Sequence, residues 1–134
     1  MTYTYGHLCF LVSDMERSVS FYCEKLGFQK MFEQHFEAYG MHCVYLRIAQ
    51  GQFIELFNAK KPLDNTNASF QHLCLHVDDA AAAHEELASR GVDVTPVEFG
   101  MSKIYKFYFK DPDGHSIEVM QLTDESLQTI HDHD

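Results

Sequence analysis

Two histidines open two nearly identical stretches: His7-Leu8-Cys9-Phe10-Leu11-Val12-Ser13-Asp14 and His72-Leu73-Cys74-Leu75-His76-Val77-Asp78-Asp79. Imidazole is a common metal ligand and a proton carrier at neutral pH. Each half of the chain also sets one acid in a later apolar run, Glu55 within residues 52–57 and Glu118 within residues 115–122. If all four runs are strands, the period of two projects His7, Glu55, His72 and Glu118 from the faces opposite the larger apolar series. An unpaired carboxylate is expensive to bury amid apolar residues. A metal ion shared with histidine would remove that cost. A single strand histidine is ordinarily a satisfied core residue, but ligand-type residues at corresponding places of a repeat are a stronger signal.

The elements that would position these residues follow from local patterning. Residues 7–12 alternate, with His7, Cys9 and Leu11 on one side and Leu8, Phe10 and Val12 on the other. Ser13 and Glu16 have capping-box spacing and predict a helix to about Leu26, stopped by Gly27. Strands are predicted over 28–36, 42–49 and 52–57, with a turn at Gly40 and a hairpin at Gln50-Gly51. The polar, proline-containing segment 60–70 reads as a linker between a first module, 1–59, and a second, 71–122. The second module repeats the plan: strand 72–77, a helix capped by Asp78 or Asp79 and ending at Arg90, then strands 92–97, 103–110 and 115–122. Asp111-Pro112-Asp113-Gly114 forms a tight turn before the last strand. The acidic tail, 123–134, holds at most one helical turn and is assigned no function. The expectation is an α+β fold of two βαβββ modules in pseudo-symmetric pairing, building one site between them.

The chain has 134 residues and a formal charge of −10. That charge argues against nucleic acid and anionic membrane surfaces as partners. No apolar run is long enough to span a bilayer, and Thr2-Tyr3-Thr4-Tyr5-Gly6 lacks the features of a signal peptide, so a cytoplasmic protein is expected. Cys9, Cys23, Cys43 and Cys74 show no paired spacing and lie in apolar runs, which reads as buried free thiols.

From His7 through Met120 the sequence resembles the vicinal oxygen chelate superfamily, the glyoxalase, bleomycin-resistance and extradiol-dioxygenase group. The most specific element is Phe109-Lys110-Asp111-Pro112-Asp113-Gly114-His115-Ser116-Ile117-Glu118, which looks like that family's closing hairpin with its ligand glutamate. The resemblance implies a cup-shaped mixed β-sheet in which the first and fourth strands of each module are neighbours. It also implies one divalent metal held by His7, Glu55, His72 and Glu118, and a catalytic carboxylate, Glu118 or Glu55, that moves a proton beside a carbonyl. Two imidazoles and two carboxylates suit nickel, cobalt, zinc or manganese. With all four ligands present, the chain is most similar to the compact bacterial form of glyoxalase I, the lactoylglutathione lyase type. That type implies a 2-oxo or hemithioacetal substrate, a glutathione or other thiol adduct, and a homodimer whose half-sites come from different chains.

The pattern departs from the family at Leu11, where glutathione-dependent members carry an arginine, and Asn58 only approximately matches the asparagine expected after the fourth-strand glutamate. Arg47, Lys103 and Lys106 are the basic candidates for a substrate carboxylate or phosphonate, with Arg47 on the metal-facing side and each lysine equally readable as a solvated strand charge. His76 shares a face with His72 and is a second acid/base, a substrate donor or a packed polar residue. Tyr45, Phe53, Phe57 and Tyr108 are expected to wall the pocket. His35, His42, His84, His131 and His133 read as surface or loop residues. Two rivals stand beside the lyase reading. One is another superfamily metalloenzyme, a fosfomycin-type thiol transferase or an extradiol dioxygenase. The other is a bleomycin-resistance-type binding protein without catalysis.

Overall fold

Each histidine stretch folds beside the strand that carries its glutamate. In the first unit, Met1–Thr66, β1 (His7–Val12) runs parallel to β4 (Gln52–Asn58). β4 is antiparallel to β3 (Met41–Ala49), which pairs with β2 (Gln29–Phe36), so the sheet order is β1-β4-β3-β2. The second unit, Asn67–Asp134, repeats this with β5 (Leu73–His76), β6 (Glu98–Phe99), β7 (Tyr105–Lys110) and β8 (Ser116–Gln121) in the order β5-β8-β7-β6. The fold is the expected α+β pair of βαβββ modules, with first and fourth strands adjacent in each. These features come from a computed structural model that describes residues 1–132.

The first two α-helices enter at aspartates. α1 (Met15–Ser20) is capped by Asp14, whose carboxylate accepts the Arg17 amide at 3.0 Å; Ser13 instead accepts from the Arg17 guanidinium. The expected Ser13–Glu16 capping box is therefore corrected by one position, because Asp14 adopts the extended conformation a cap requires. A π-helical turn, Phe21–Lys25, continues α1. Gly27, at φ +76°, then lets the Gly27 and Phe28 amides close on the Cys23 and Tyr22 carbonyls. α2 (Ala80–Ser89) is capped by Asp79 in the same way.

The alternating strands bury one face fully. Phe10, Val12, Val44, Leu46, Ile54 and Leu56 line it in the first unit, with Tyr22 of the π-turn completely enclosed. In the second, Phe107, Phe109, Ile117 and Val119 do the same, and α2 packs on β7 and β8. The other face carries Glu55 and Tyr45 in the first unit and Glu118 and Tyr108 in the second.

Residues 92–97 do not form the expected strand; only Glu98 and Phe99 pair with β7. Pro96 has no amide hydrogen to give a ladder. Just before it, Thr95 takes over part of the pairing with its side chain: its amide donates to the Tyr108 carbonyl, and its hydroxyl oxygen accepts the Tyr108 amide, both at 2.8 Å. Lys103 also lies outside β7, in a left-handed turn at φ +59°. The tail forms α3 (Leu127–His131), capped by Ser126, whose side chain is fully buried. Among the described residues, no helix is long and apolar enough to cross a membrane.

Candidate functional site

The two sheets present the same constellation at the same register. Glu55 sits between Cys9 of β1 and Tyr45 of β3, and Glu118 sits between Cys74 of β5 and Tyr108 of β7. His7 pairs with Phe53, so it approaches Glu55 diagonally, two residues along the strand. The His7 Nε2 to Glu55 Oε1 distance is 3.7 Å, and His72 Nε2 lies 3.9 Å from Glu118 Oε2. Each of the expected ligand pairs is thus assembled within its own sheet.

Both pairs are slightly too wide for a hydrogen bond. Two donors about 2.1 Å from one ion stand roughly 3.0–3.4 Å apart, so each pair needs to close by less than about 1 Å to chelate. The glutamates are held in place, while the imidazoles remain reachable. Side-chain exposure is 15% for Glu55 and 7% for Glu118, against 42% for His7 and 40% for His72. A nearly buried carboxylate facing an accessible imidazole, found twice, fits a divalent cation with mixed nitrogen and oxygen ligands.

The tyrosines complete each half-site. The Tyr108 hydroxyl donates to Glu118 Oε2, and the Tyr45 hydroxyl lies 3.3 Å from His7 Nε2. The hydrogen bond to Glu118, followed by burial, pushes the Tyr108 phenol up to about 12; burial and then Glu55 push Tyr45 to about 12. Both phenols are therefore neutral donors at physiological pH. Each also meets its histidine edge-on, with ring centroids 5.3 Å apart for His7–Tyr45 and 6.1 Å for His72–Tyr108.

Three cysteines belong to this neighbourhood, and the expectation of uniformly buried thiols is corrected. Cys43 is buried, Cys23 and Cys74 are half-buried and Cys9 is exposed. The Cys43 thiol donates to Glu55 Oε2 at 3.4 Å. Partial burial and the neighbouring glutamate raise Cys9 to about 11 and Cys74 to about 12. Burial and the carboxylate charge thus both favour the protonated thiol over the nucleophilic thiolate. Alternation already placed Cys9 beside His7 on one face; the cross-strand register that aims both cysteines at the glutamates is visible only in the sheet.

The remaining candidates lie farther along the same faces. Phe53 and Arg47 pair with each other and line a cleft of about 440 Å³ with Gln29 and Lys30. Lys106 faces Tyr108, its ammonium 5.8 Å from the ring centroid. Lys103 is withdrawn from the substrate candidates, since its ammonium pairs with Glu125 at 2.9 Å. His76 is exposed beside Met120 and lines a cleft of about 710 Å³ with Gln128 and His131 of the tail helix.

Two further histidines depart from the surface or loop reading. His84 packs edge-on against the buried Phe107, and His42 is a half-buried strand residue whose Nε2 lies 2.9 Å from Glu33. His133 lies outside the described residues.

Residues 4–119 match the profile of the Glyoxalase/Bleomycin resistance protein/Dioxygenase superfamily. Over 121 residues the chain is 31% identical to the uncharacterized protein YwkD of Bacillus subtilis, covering 86% of this chain and 94% of that protein. It is also 31% identical over 123 residues to a probable lactoylglutathione lyase of Vibrio parahaemolyticus, covering 86% and 88% of the two chains. The fosfomycin resistance protein FosX of Listeria monocytogenes, solved with Mn(II) and sulfate, superposes with a TM-score of 0.72 at 18% identity, over 94% of this chain and 98% of that one. That structural likeness is one of fold.

Proposed function

The chain belongs to the Glyoxalase/Bleomycin resistance protein/Dioxygenase superfamily, and on that premise we propose that it is a divalent-metal-dependent lyase or isomerase of the lactoylglutathione lyase type. The superfamily includes metalloenzymes acting on small molecules, and lactoylglutathione lyases are among this chain's relatives. The observation that carries the reading is the duplicated histidine–glutamate pair, His7 with Glu55 and His72 with Glu118, each with nitrogen and oxygen less than 4 Å apart. Together they supply two imidazoles and two carboxylates, a set suited to nickel, cobalt, zinc or manganese.

A divalent ion held there would polarise a substrate carbonyl and stabilise the negative charge of an enediolate. The chain's own residues do the rest. Glu118 or Glu55 takes the proton from the carbon beside the carbonyl and returns it to the neighbouring carbon. Tyr108 steadies the Glu118 carboxylate by donating to one of its oxygens. Tyr45, Phe53 and Tyr108 give the apolar wall, and His76 offers a polar contact. Arg47 and Lys106 offer positive charge for a substrate carboxylate on a chain whose net charge is −10. Leu11 cannot make such a contact, so the substrate is a 2-oxo compound or thiol adduct gripped differently from the glutathione adduct of arginine-bearing relatives. The protein acts in the cytoplasm as a homodimer in this reading.

The test is turnover of the methylglyoxal–glutathione hemithioacetal by chelator-stripped protein resupplied with nickel, cobalt, zinc or manganese. Restored turnover, lost in Glu118→Gln, supports the lyase. Metal binding without turnover on this or other 2-oxo thiol adducts rejects the lyase and favours another superfamily reaction. Tight ligand binding with no metal requirement would favour a sequestering protein.

A further inference from the structure

We propose that Glu33, His35 and His42 form a second divalent-metal site, separate from the four residues above, on the β2–β3 hairpin. One ligand atom from each of the three lies within 4.8 Å of the other two. His35 and His42 are cross-strand partners, and their rings stack nearly parallel, 8° apart, with centroids 4.1 Å from each other. Glu33 stands two residues before His35 on the same face, and its Oε2 is 2.9 Å from His42 Nε2. Two imidazoles and a carboxylate at this spacing meet the donor chemistry of zinc, nickel or copper, with open positions left for water.

The register separates this cluster from His7 and Glu55. Phe32 pairs with Tyr45, and so shares the face of Glu55, whereas Glu33 pairs with Val44 on the opposite face. The base of the cluster is braced. Asn58 Oδ1 accepts the His42 amide at 2.6 Å, and its Nδ2 donates to the Gly40 carbonyl at 3.2 Å, which fixes the turn from which His42 emerges. Lys30 occupies the other oxygen of Glu33 at 3.2 Å, leaving Oε2 for an ion while adding a charge that opposes it. An ion here would tie β2, an edge strand of its sheet, to β3 through side chains.

The experiment is zinc titration calorimetry of His7→Ala/His72→Ala protein, in which the other centre is disabled. One zinc per chain should bind, with affinity at least tenfold weaker after His35→Ala and after Glu33→Gln, and no weaker after Lys30→Met. No zinc uptake in the double variant, or uptake that His35→Ala leaves unchanged, overturns the proposal. If that variant does not fold, the imidazole resonances of the wild-type chain decide. His35 and His42 must shift together on zinc addition, and independence of the two overturns the site. Loss of the lyase reading would leave all these outcomes unaffected.

Discussion

Glu55 and Glu118 hold equivalent places in their sheets but differ in surroundings. Glu118 is the more buried and takes a hydrogen bond from Tyr108, whereas Tyr45 leans toward His7 and Cys43 donates to Glu55. Removing the Tyr108 hydroxyl therefore deprives a nearly buried carboxylate of a donor that orients it. Tyr108→Phe should weaken divalent-metal affinity about 10–100-fold. Tyr45→Phe should weaken it less, because Glu55 is better hydrated and keeps the Cys43 donor. Competition with a chelating dye measures both. Alternation alone put the histidines, glutamates, Tyr45 and Arg47 on the right faces, since a strand's period is two. It could not show that His7 stands opposite Phe53 and not Glu55, because register belongs to the pair of strands. The same limit hid the cysteines beside the glutamates and the Glu33–His35–His42 cluster, whose members lie on two strands.

At the level of elements, the two main helices and most strands are legible because glycine stops, polar caps and apolar alternation agree locally, although the α1 cap falls at Asp14 and not Ser13. Residues 92–97 were misread because Val92, Val94 and Val97 look like a strand, while Pro96 and the side-chain pairing of Thr95 break the ladder. β7 then carries much of the second unit, and Phe107 is fully buried in it with His84 against its ring. Phe107→Ala should cost about 3–5 kcal/mol of stability, read from denaturant unfolding. The tail was legible as acidic but not as attached. Thr123 donates to the Lys103 carbonyl, the Leu127 amide donates to Ser102, and Lys103 pairs with Glu125.

That ion pair gives the tail a pH dependence. The hydrogen bond and charge of Lys103 hold Glu125 below its ordinary value of 4.5. A depressed carboxylate contributes stability that is full above its unfolded pKa and is lost as pH falls through the folded one. Protection of the Leu127 amide against hydrogen exchange, relative to amides of α2, should therefore decline as pH drops below about 4.5 in the wild type. Glu125→Gln should show the weaker, acid-form protection at every pH and no such decline.

At the scale of the molecule, two similar sheets each carry half of the proposed ligand set, and a charge of −10 favours the approach of cations. If the protein is a homodimer with half-sites supplied by different chains, inactive His7→Ala and His72→Ala proteins should complement one another. A mixed dimer then carries one site with both histidines intact, so statistical co-refolding should restore about a quarter of wild-type turnover. Half-sites supplied by one chain predict no recovery. The central claim, that His7, Glu55, His72 and Glu118 hold a divalent ion, is tested most directly by elemental analysis in a His35→Ala background, which silences the hairpin cluster. Dialysed His35→Ala protein should retain a divalent metal and lose it on adding His72→Ala/Glu118→Gln, with hemithioacetal turnover lost in step. Equal metal in both proteins, or turnover that survives without metal, would contradict the account.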